Sequence, residues 1–563
     1  MQDTNTFDAI VVGSGISGGW AAKELCEKGL KTLVLERGRS LEHITGYPTA
    51  SLPPWSFDHR GRQTQEDIEK HPVQSRVYAF NEGTRHLWIN DNDYPYTTPE
   101  DKPFLWIRGN HVGGRSIMWG RQCYRWSDLD FEANAKDGKG IDWPIRYKDI
   151  APWYDYVERF AGISGQAEGI PHLPDGQFLP PFELNCMEEQ IKKRIEAKWS
   201  DRKVTNARIA NLTKDHNGRG QCQRRNLCYR GCPYGAYFSS QSSTLPAAAA
   251  TGNMTLRPDS AVAKVIYDEK LDKATGVLVV DTNTGEQTEY FAKVIFLCAS
   301  TLGSTRILLN SATERFSEGL ANSSDSLGRY LMDHQYRVGA SCSFEGMEDQ
   351  NTYGSGPGGI YIPRFRNIKE QRPDYLRGFG YQGRASRSGW QRGGNEAGVG
   401  ADFKASLTEP GPWSIGLTGF GECLPYAENK VSLNKEKLDK DGLPSLFIDG
   451  KFRENEDAMR VDIMNSAAEM LEAAGGKNVQ AYDRKESYVL GFGIHEMGTA
   501  RMGNDPKTSV LNKWNQCHDV KNLFVTDGSC MTSSSCVNPS ITYMALTARA
   551  VDHAVKELNK QNL

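Results

Sequence analysis

The feature that most constrains this chain is a glycine-rich turn that joins an apolar strand to a helix near the N-terminus. Residues 7–38 read FDAIVVGSGISGGWAAKELCEKGLKTLVLERG, with a β-branched run, three glycines spaced as GxGxxG, an alanine-rich helical stretch and a second apolar run. Gly13 permits the tight turn, Gly15 lets the backbone approach a pyrophosphate, and Gly18 allows close packing of the helix. Glu36 ends the second run, where its carboxylate can accept hydrogen bonds from an adenosine ribose. The sequence therefore predicts a βαβ unit that binds a dinucleotide, in preference to a glycine turn without a ligand.

The other end of the chain favours FAD over NAD as that dinucleotide. Residues 522–558 read NLFVTDGSCMTSSSCVNPSITYMALTARAVDHAVKEL, which places Asp527 and Gly528 after an apolar strand, followed by a loop and a helix. The N-terminus of that helix can face an anionic or electron-rich group. A fold that closes both ends of the chain over one cofactor suggests a long cofactor, so we expect FAD.

Size and charge limit the fold and the partners. A chain of 563 residues exceeds what one hydrophobic core usually organises, so two closely joined domains are expected. The 67 Lys and Arg residues and 70 Asp and Glu residues leave a formal charge of -3, which gives no reason to expect nucleic acid as the main partner. No apolar stretch approaches the roughly 20 residues of a membrane span, and the polar start does not resemble a signal peptide. We therefore expect no direct membrane span and no export signal in this chain.

Two further regions have readable strand patterns. Residues 253–310 contain short strands, a hairpin turn TNTGEQ and a final apolar strand that leads into a helix, which is typical of layers returning to the first sheet. Residues 335–486 contain the alternating runs GYQGRAS, WSIGLTGFGECLP and NKVSLN and a predicted helix at ENEDAMRVDIMNSAAEMLEAAGG. We therefore expect an α/β fold, with a Rossmann-like FAD-binding domain and a second, α+β domain built on an antiparallel sheet.

Three cysteines lie close together in a loop that reads CQRRNLCYRGCPYGA at residues 222–236. Thiolates suit iron–sulfur clusters or zinc, but the spacing of Cys222, Cys228 and Cys232 matches neither the ferredoxin run nor paired zinc CxxC motifs. A disulfide with one spare thiol and a structural zinc site stay open as alternatives. Thiolate charge would be offset by the arginines of the same loop, Arg224, Arg225 and Arg230.

Four motifs taken together resemble the glucose-methanol-choline (GMC) flavin oxidoreductases. They are the N-terminal fingerprint, RGNHVGGRSIMWG at residues 108–120, HEMGTARMG at residues 495–503 and the DGS…NPS segment at residues 527–540. They occur in the family's order and at the family's distances from the chain ends. Within the family the chain looks most similar to the sugar dehydrogenase branch, including gluconate and fructose dehydrogenase large subunits and glucoside 3-dehydrogenases.

The resemblance implies a discontinuous arrangement of domains. Residues 1–334 would form mainly the FAD-binding domain, with the cysteine loop inserted at residues 220–236. Residues 335–486 would form mainly the substrate-binding domain. Residues 487–563 would return to the FAD-binding domain and carry the catalytic pair.

Carried onto this chain, the family's catalytic histidine falls on His495, and its second active-site residue, a histidine or asparagine, falls on Asn538. Oxidising an alcohol requires removal of the hydroxyl proton as a hydride leaves carbon, so a base must lie within hydrogen-bond reach. The resemblance gives His495 that role, and the amide of Asn538 can hold the substrate oxygen. A core histidine and a turn-forming Asn-Pro are the structural alternatives. For the Asp333-His334 pair, which also occurs in relatives, a functional role and a structural role near the domain hinge both stay open.

The resemblance also assigns FAD contacts along the whole chain. In the motif at residues 108–120, Met118 stands where several sugar-oxidising relatives place a histidine that bonds covalently to the flavin. Because methionine cannot form that bond, we expect FAD to be held non-covalently. The predicted contacts are Gly13, Gly15, Ser17, Gly18, Glu36, Arg37, Gly113, Gly114, Ser116, Val262, Asp527, Gly528, Asn538 and Ser540.

The cysteine loop resembles the one that carries a [3Fe-4S] cluster in gluconate and fructose dehydrogenase large subunits. The resemblance implies that Cys222, Cys228 and Cys232 hold such an iron–sulfur cluster, and a fourth ligand would make it [4Fe-4S]. The implied partners are a small subunit that carries an export signal and cytochrome c or a similar electron acceptor. Co-export with that subunit would place the protein in the periplasm, with the cytoplasm as the alternative.

The overall likeness favours a glucoside 3-dehydrogenase, which oxidises C3 of glucose or a glucoside to a 3-keto sugar. Gluconate 2-dehydrogenase and fructose 5-dehydrogenase large subunits are the alternatives, and a non-catalytic flavin electron-transfer subunit is an alternative from another class. Glu422 could hold a sugar hydroxyl. Three aromatic residues either line the sugar site or pack the second sheet: Trp413, Phe420 and Tyr426.

Overall fold

A computed structural model describes residues 5–352, 357–394 and 396–563 of the chain. Within these residues the strands form sheets of seven, six and two strands. The strands are β1 (Thr6–Val12), β2 (Thr32–Leu35), β3 (Thr205–Asn206), β4 (Met254–Arg257), β5 (Ser260–Asp268), β6 (Lys273–Asp281), β7 (Gln287–Leu297), β8 (Val338–Phe344), β9 (Ile360–Ile362), β10 (Phe379–Arg387), β11 (Trp413–Gly421), β12 (Lys430–Leu438), β13 (Pro444–Asp449), β14 (Lys477–Asp483) and β15 (Leu523–Val525).

The α-helices connect and cover these sheets. In the described part of the chain, no helix is both long enough and apolar enough to cross a membrane. The helices are α1 (Ile16–Glu27), α2 (Gln65–Lys70), α3 (Asp128–Phe131), α4 (Ala133–Asp137), α5 (Tyr147–Ala161), α6 (Cys186–Lys198), α7 (Thr244–Ala250), α8 (Thr301–Asn310), α9 (Gly400–Ser406), α10 (Glu454–Ala473) and α11 (Ser540–Asn559).

The seven-stranded sheet contains the predicted βαβ unit. Its order is β4-β2-β1-β7-β6-β5, and β15 also pairs with β7. β1 lies parallel to both β2 and β7, and α1 forms the crossover between β1 and β2. β15 comes from the C-terminal region and pairs in parallel with β7, with Leu523 opposite Ile295. Both ends of the chain therefore meet in one sheet, which is the arrangement expected from the sequence.

The six-stranded sheet is antiparallel, with the order β14-β8-β11-β10-β9-β3. Alternate residues of β11 are buried, as the period-two pattern of its sequence requires. α10 covers one face, where Met459 and Ile463 share a hydrophobic cluster with Ile415 and Leu417 of β11. This cluster also takes in α6, which comes from earlier in the chain. The fold is thus the α/β arrangement with an antiparallel second sheet that the sequence predicted.

The hairpin formed by β12 and β13 departs from the expectation that NKVSLN belongs to the second sheet. β12 and β13 pair only with each other among the described strands. Val431 and Leu446 of this hairpin lie in the same hydrophobic cluster as Ile10 of β1. Arg37, at the end of β2, contacts the hairpin turn through Asp439 at 2.6 Å. The buried apolar residues of the hairpin therefore pack on the first sheet's core, while Val431 is the one buried residue of β12. The domain boundaries at 334 and 486 stay a prediction.

Candidate active site

A cavity of about 580 Å³ lies where the carboxyl ends of β1 and β2 meet the second sheet. Most of the predicted FAD contacts line it, although they come from segments far apart in sequence. Gly18 and Gly113 lie just behind the wall, where the N–H of Gly113 donates to Ser14 Oγ at 2.8 Å. The predicted contacts on the wall are Gly13, Gly15, Ser17, Glu36, Arg37, Gly114, Ser116, Val262, Asp527, Gly528, Asn538 and Ser540.

The glycine turn forms a cradle at the start of α1. Gly13 has a φ of 93°, and a Cβ there would lie 2.5 Å from the carbonyl oxygen of Cys298. A Cβ at Gly18 would collide with the carbonyl oxygen of Gly13, so these glycines allow strand and helix to pack closely. A Cβ at Gly15 would meet only the Gly113 carbonyl oxygen, at 3.9 Å, and would otherwise fill the cavity. The free N–H groups of the first turn of α1 suit a pyrophosphate here.

The carboxylate of Glu36 lies beside this cradle at the end of β2. Its Oε2 accepts hydrogen bonds from the backbone N–H of Ser14 at 3.1 Å and from Ser14 Oγ at 2.5 Å. Its Oε1 accepts from the N–H of Gly38 at 2.9 Å. Burial raises the pKa of Glu36, while these hydrogen bonds lower it. A carboxylate has about four acceptor positions, so Glu36 keeps capacity on the cavity side for a ribose hydroxyl.

The C-terminal region supplies the opposite wall. Asp527 is buried, and its carboxylate accepts from the N–H of Ser529 at 3.0 Å and from the hydroxyl of Ser304. α11 begins at Ser540, so its N-terminus faces the cavity. Tyr543 Oη is buried on the same wall and has no hydrogen-bond partner within the part of the chain that the structure describes. An unpaired buried hydroxyl is costly unless a ligand satisfies it, so this wall fits a polar cofactor.

The two predicted catalytic residues converge on this cavity. His495 Nε2 lies 3.3 Å from Asn538 Nδ2, and both residues line the wall. On the other side of the imidazole ring, His495 Nδ1 lies 3.0 Å from His334 Nδ1. Burial lowers the pKa of His495 well below its ordinary value, and the electrostatic interactions with His334 and Arg115 lower it further. The imidazole is therefore neutral near pH 7 and able to accept a proton.

Comparison with known proteins decides the family. Models of the GMC oxidoreductase family match residues 7–336 and residues 425–547. The chain is a GMC oxidoreductase. The protein is therefore an FAD-dependent oxidoreductase that acts on CH–OH donors, and the cavity residues fit that cofactor.

Relatives of this GMC oxidoreductase include dehydrogenases of alcohols and sugars. A 2-methyl-1,2-propanediol dehydrogenase of Mycolicibacterium austroafricanum is 32% identical over 97% of this chain and 94% of its own. A fructose dehydrogenase large subunit of Gluconobacter japonicus is 26% identical over 99% of both chains. Among solved structures, pyridoxine 4-oxidase from Mesorbium loti has the same fold, with a TM-score of 0.61 and 16% identity over 98% of this chain and 99% of that chain.

Two residues of the second sheet that the sequence did not indicate, Gln382 and Arg384, lie on the cavity wall with the proposed catalytic pair. Gln382 Nε2 donates to Asn538 Oδ1 at 2.6 Å, and Arg384 lies two residues further along β10 on the same cavity wall. Phe420 of β11 also lines the cavity, with its ring centre 6.1 Å from that of His495. Strand alternation could have placed Gln382 and Arg384 on one face. The alternation could not show that this face meets His495.

Other predicted substrate residues of the GMC oxidoreductase lie away from this wall. Trp413 is buried in the hydrophobic cluster of the second sheet. Tyr426 Oη donates to Glu456 Oε2 at 3.0 Å. Glu422 is buried in an ion pair with Arg377, whose Nη1 lies 2.7 Å from the carboxylate. The structure therefore does not place Glu422 where it could hold a sugar hydroxyl, and of the three aromatic residues only Phe420 is on the cavity wall.

The cysteine loop of the GMC oxidoreductase reaches the cavity through Asn226, Cys228 and Tyr229. Cys228 lines the wall, and Cys222, Cys228 and Cys232 are partly exposed free thiols. Burial raises the pKa of Cys222, and the charges of the other two thiolates raise it further, so the three lie within electrostatic reach. Among residues 5–352, 357–394 and 396–563, no group of three or more His, Cys, Asp or Glu side chains is arranged to hold a metal ion. The iron–sulfur cluster stays a proposal.

An arginine outside the loop, which the sequence did not indicate, also interacts electrostatically with its cysteines. Arg225 Nη1 donates to the carbonyl oxygen of Ala50 at 3.1 Å, and Arg230 Nη1 donates to that of Leu52 at 2.7 Å. These hydrogen bonds tie the loop to the segment at residues 50–52. Arg121 lines the cavity instead, and although burial lowers its pKa, the charge of the neighbouring Cys228 thiolate contributes to a net rise. Arg121 is far from the loop in sequence, so no sequence pattern indicates this electrostatic interaction.

Proposed function

We propose that this GMC oxidoreductase is a dehydrogenase of a sugar ring hydroxyl, with C3 of glucose or a glucoside as the preferred position. The observation that carries the proposal is the approach of His495 Nε2 to Asn538 Nδ2, 3.3 Å apart on the wall of the FAD cavity. A base and a hydrogen-bond donor side by side are what removal of a hydroxyl proton requires. Preference for C3 rests on the likeness to glucoside 3-dehydrogenases.

In this proposal His495 acts as the general base. Its Nε2 accepts the hydroxyl proton, and the low pKa of the buried ring keeps it neutral before the reaction. Asn538 Nδ2 donates its second hydrogen to the substrate oxygen and stabilises the negative charge that develops there. Gln382 fixes the amide of Asn538 by donating to its Oδ1 at 2.6 Å. FAD supplies the acceptor for the hydride when it is bound.

The wall opposite the FAD residues suits a carbohydrate. Phe420 offers an apolar ring face, and the amide of Gln382 and the guanidinium of Arg384 offer hydrogen-bond donors. Sugars combine apolar C–H faces with several hydroxyls, and a mixed wall of this kind recognises both. Oxidation of gluconate at C2 or fructose at C5 is the alternative within this class.

A second candidate substrate is a small vicinal diol. The relative that acts on 2-methyl-1,2-propanediol is 32% identical over 97% of this chain, a higher identity than that of the fructose dehydrogenase large subunit. Such a diol presents a primary hydroxyl to His495, because its other hydroxyl lies on a carbon without hydrogen, and it leaves the polar wall unused. The two candidates therefore differ in what Arg384 and Gln382 contribute to binding.

We further propose that Cys222, Cys228 and Cys232 hold a [3Fe-4S] cluster that passes electrons to a partner. The support is donor chemistry, because three thiols in one loop suit iron and sulfide. The position of Cys228 on the cavity wall also supports a route away from the flavin. The proposed partners are a small subunit with an export signal and cytochrome c or a similar acceptor, in the periplasm.

The test is an anaerobic panel of donors with the purified holoenzyme. Bleaching of flavin absorbance would be followed with glucose, methyl glucoside, gluconate, fructose and 2-methyl-1,2-propanediol, and the products identified by NMR. The proposal expects the fastest bleaching with glucose or methyl glucoside and a 3-keto product. Bleaching by the diol alone would show that the substrate is a small diol and not a sugar. Oxidation only at C2 of gluconate or C5 of fructose would show that the enzyme acts on a sugar but not at C3.

A further inference from the structure

Five groups form a series of polar contacts that passes through the proposed base, His495. The carbonyl oxygen of Ser534 lies 3.1 Å from His334 Nε2, and His334 Nδ1 lies 3.0 Å from His495 Nδ1. His495 Nε2 lies 3.3 Å from Asn538 Nδ2, and Asn538 Oδ1 accepts from Gln382 Nε2 at 2.6 Å. His334 is 1% exposed and its ring meets that of His495 edge-on, at 76°. The imidazole of His495 is thus bonded on both nitrogens.

The carbonyl group of Ser534, at one end of this series, determines where each proton lies. A carbonyl oxygen can only accept a hydrogen bond, so His334 Nε2 must carry the proton that faces Ser534. A neutral imidazole has one N–H, which leaves His334 Nδ1 as an acceptor. The proton between the two rings therefore belongs to His495 Nδ1. His495 Nε2 is left with its lone pair directed at Asn538 and the cavity.

Both rings must be neutral for this assignment to hold. Burial lowers the pKa of His334 to about 4, despite the hydrogen bond from its ring to the Ser534 carbonyl. A doubly protonated His334 would donate to His495 Nδ1 and reverse the assignment, but that form is disfavoured at neutral pH. The orientation of Asn538 agrees, because Gln382 donates to its oxygen and so turns its NH₂ group towards His495.

We propose that His334 is a positioning residue that holds His495 in the tautomer with the proton on Nδ1 and the lone pair on Nε2. The inference rests on the proposed role of His495 as the base. The sequence leaves both a structural and a functional role open for His334, and the structure places its ring in direct contact with that of His495. Without an acceptor at His334 Nδ1, the buried N–H of His495 is unpaired and the inactive tautomer gains population.

Two substitutions of His334 distinguish a role in fixing the tautomer of His495 from a role in packing alone. In His334→Asn the Oδ1 atom takes the place of Nδ1 and can still accept from His495, whereas His334→Leu has similar bulk and no acceptor. We expect His334→Leu to lower kcat by about 10-fold or more, since loss of a group that fixes a catalytic tautomer is costly. KM should change by less than roughly 2-fold, because no substrate contact is removed. His334→Asn should keep kcat within roughly 3-fold of the wild type.

The matched control is His518→Leu. His518 bonds Ser509 Oγ at 3.0 Å and is not on the cavity wall, so this variant should keep the wild-type kcat. FAD content and Tm would be measured for every variant, which identifies any that fails to fold. A wild-type kcat in His334→Leu, or an equal loss in His334→Leu and His334→Asn, would overturn the proposal.

A measurement of the tautomer distinguishes this proposal from the proposed function. Nitrogen-15 NMR of the histidine-labelled holoenzyme reports which ring nitrogen of His495 carries the proton, with the signals assigned by comparison with His495→Ala. We expect an N–H at Nδ1 in the wild type and a mixture in His334→Leu. A proton on Nε2 in the wild type would overturn the positioning role. Full activity of His495→Ala would instead remove the base itself, whatever the tautomer.

Discussion

A carboxylate oxygen of Asp333 accepts a hydrogen bond from the backbone N–H of His495 at 2.9 Å. The same oxygen accepts from the N–H of His334 at 2.8 Å, and the other oxygen accepts from Gly491 and Gly493 at 2.8 and 2.9 Å. Burial and the charge of Glu496 raise the pKa of Asp333 to about 7, against the lowering effect of these N–H groups. Asp333 therefore holds the backbone of the segment that carries the proposed base.

Replacing this carboxylate should loosen the segment. In Asp333→Asn an NH₂ group faces the N–H groups of Gly491 and Gly493, which leaves two buried donors unpaired. We expect the free energy of unfolding to fall by about 2–6 kcal/mol, at 1–3 kcal/mol for each of the two unpaired groups, and kcat to fall as His495 moves. Urea unfolding and sugar-dependent turnover would measure the two effects. The exposed Asp201→Asn is the control, and equal behaviour of both variants would refute this role.

The glycine cradle gives a prediction about FAD. In Gly15→Val the new side chain would occupy the cavity, since its Cβ would meet only the Gly113 carbonyl oxygen at 3.9 Å. We expect a folded protein that loses at least about 10-fold in FAD affinity, because a pyrophosphate must approach this backbone closely. Flavin fluorescence titration of the apoprotein would measure it. Gly389→Val, at an exposed position with no atom within 4 Å of the new Cβ, should bind FAD as the wild type does. Undiminished affinity in Gly15→Val would place the pyrophosphate elsewhere.

The residue at position 118 predicts how FAD is retained. Met118 is 5% exposed and lines the cavity, and its side chain has no nucleophilic nitrogen to bond the flavin. Acid precipitation should therefore release all of the FAD into the supernatant. Absorbance of the supernatant and of the washed pellet would show where the flavin is. Yellow pellet protein with bound flavin would mean that a different residue forms a covalent link.

The cysteine loop predicts a metal content that can be counted. Anaerobically purified protein should contain about three iron and four sulfide per chain, the composition of a [3Fe-4S] cluster, with an EPR signal that changes on adding sugar. Cys228→Ala should lose the cluster because it removes one of three thiolate ligands. Cys186→Ala is the matched control, since Cys186 is also a partly exposed thiol but begins α6. Zinc, a disulfide or no metal in the wild-type protein would remove this proposal and leave the flavin chemistry intact.

Much of the FAD site could be predicted from the sequence because its residues follow strands. Gly13 and Glu36 each directly follow a parallel strand, and Asp527 lies just after a third, so the carboxyl ends of the sheet bring them to one cavity. The contact between His334 and His495 could not be read in this way. The two residues are 161 positions apart, and each lies in an irregular segment with no period to indicate what it faces.

Alternation along a strand predicts which face of the strand is buried but not which element packs against that face. This limit explains the hairpin of β12 and β13, whose apolar face packs on the first sheet and not in the second. It also explains why Gln382 was missed, since β10 gives its side chain a face without showing that Asn538 lies opposite. Arginines present a related difficulty, because Arg225 and Arg230 bind carbonyl oxygens that no sequence pattern identifies.

In the proposed mechanism, His495 removes the proton from a sugar hydroxyl during oxidation by the FAD enzyme. The most direct test mixes anaerobic wild-type and His495→Ala holoenzymes, matched in FAD content, with glucose or methyl glucoside and follows flavin bleaching in a single turnover. Loss of a general base should slow bleaching by about 10²–10⁴-fold, with FAD still bound. Bleaching at the wild-type rate in His495→Ala would contradict the assignment of the base.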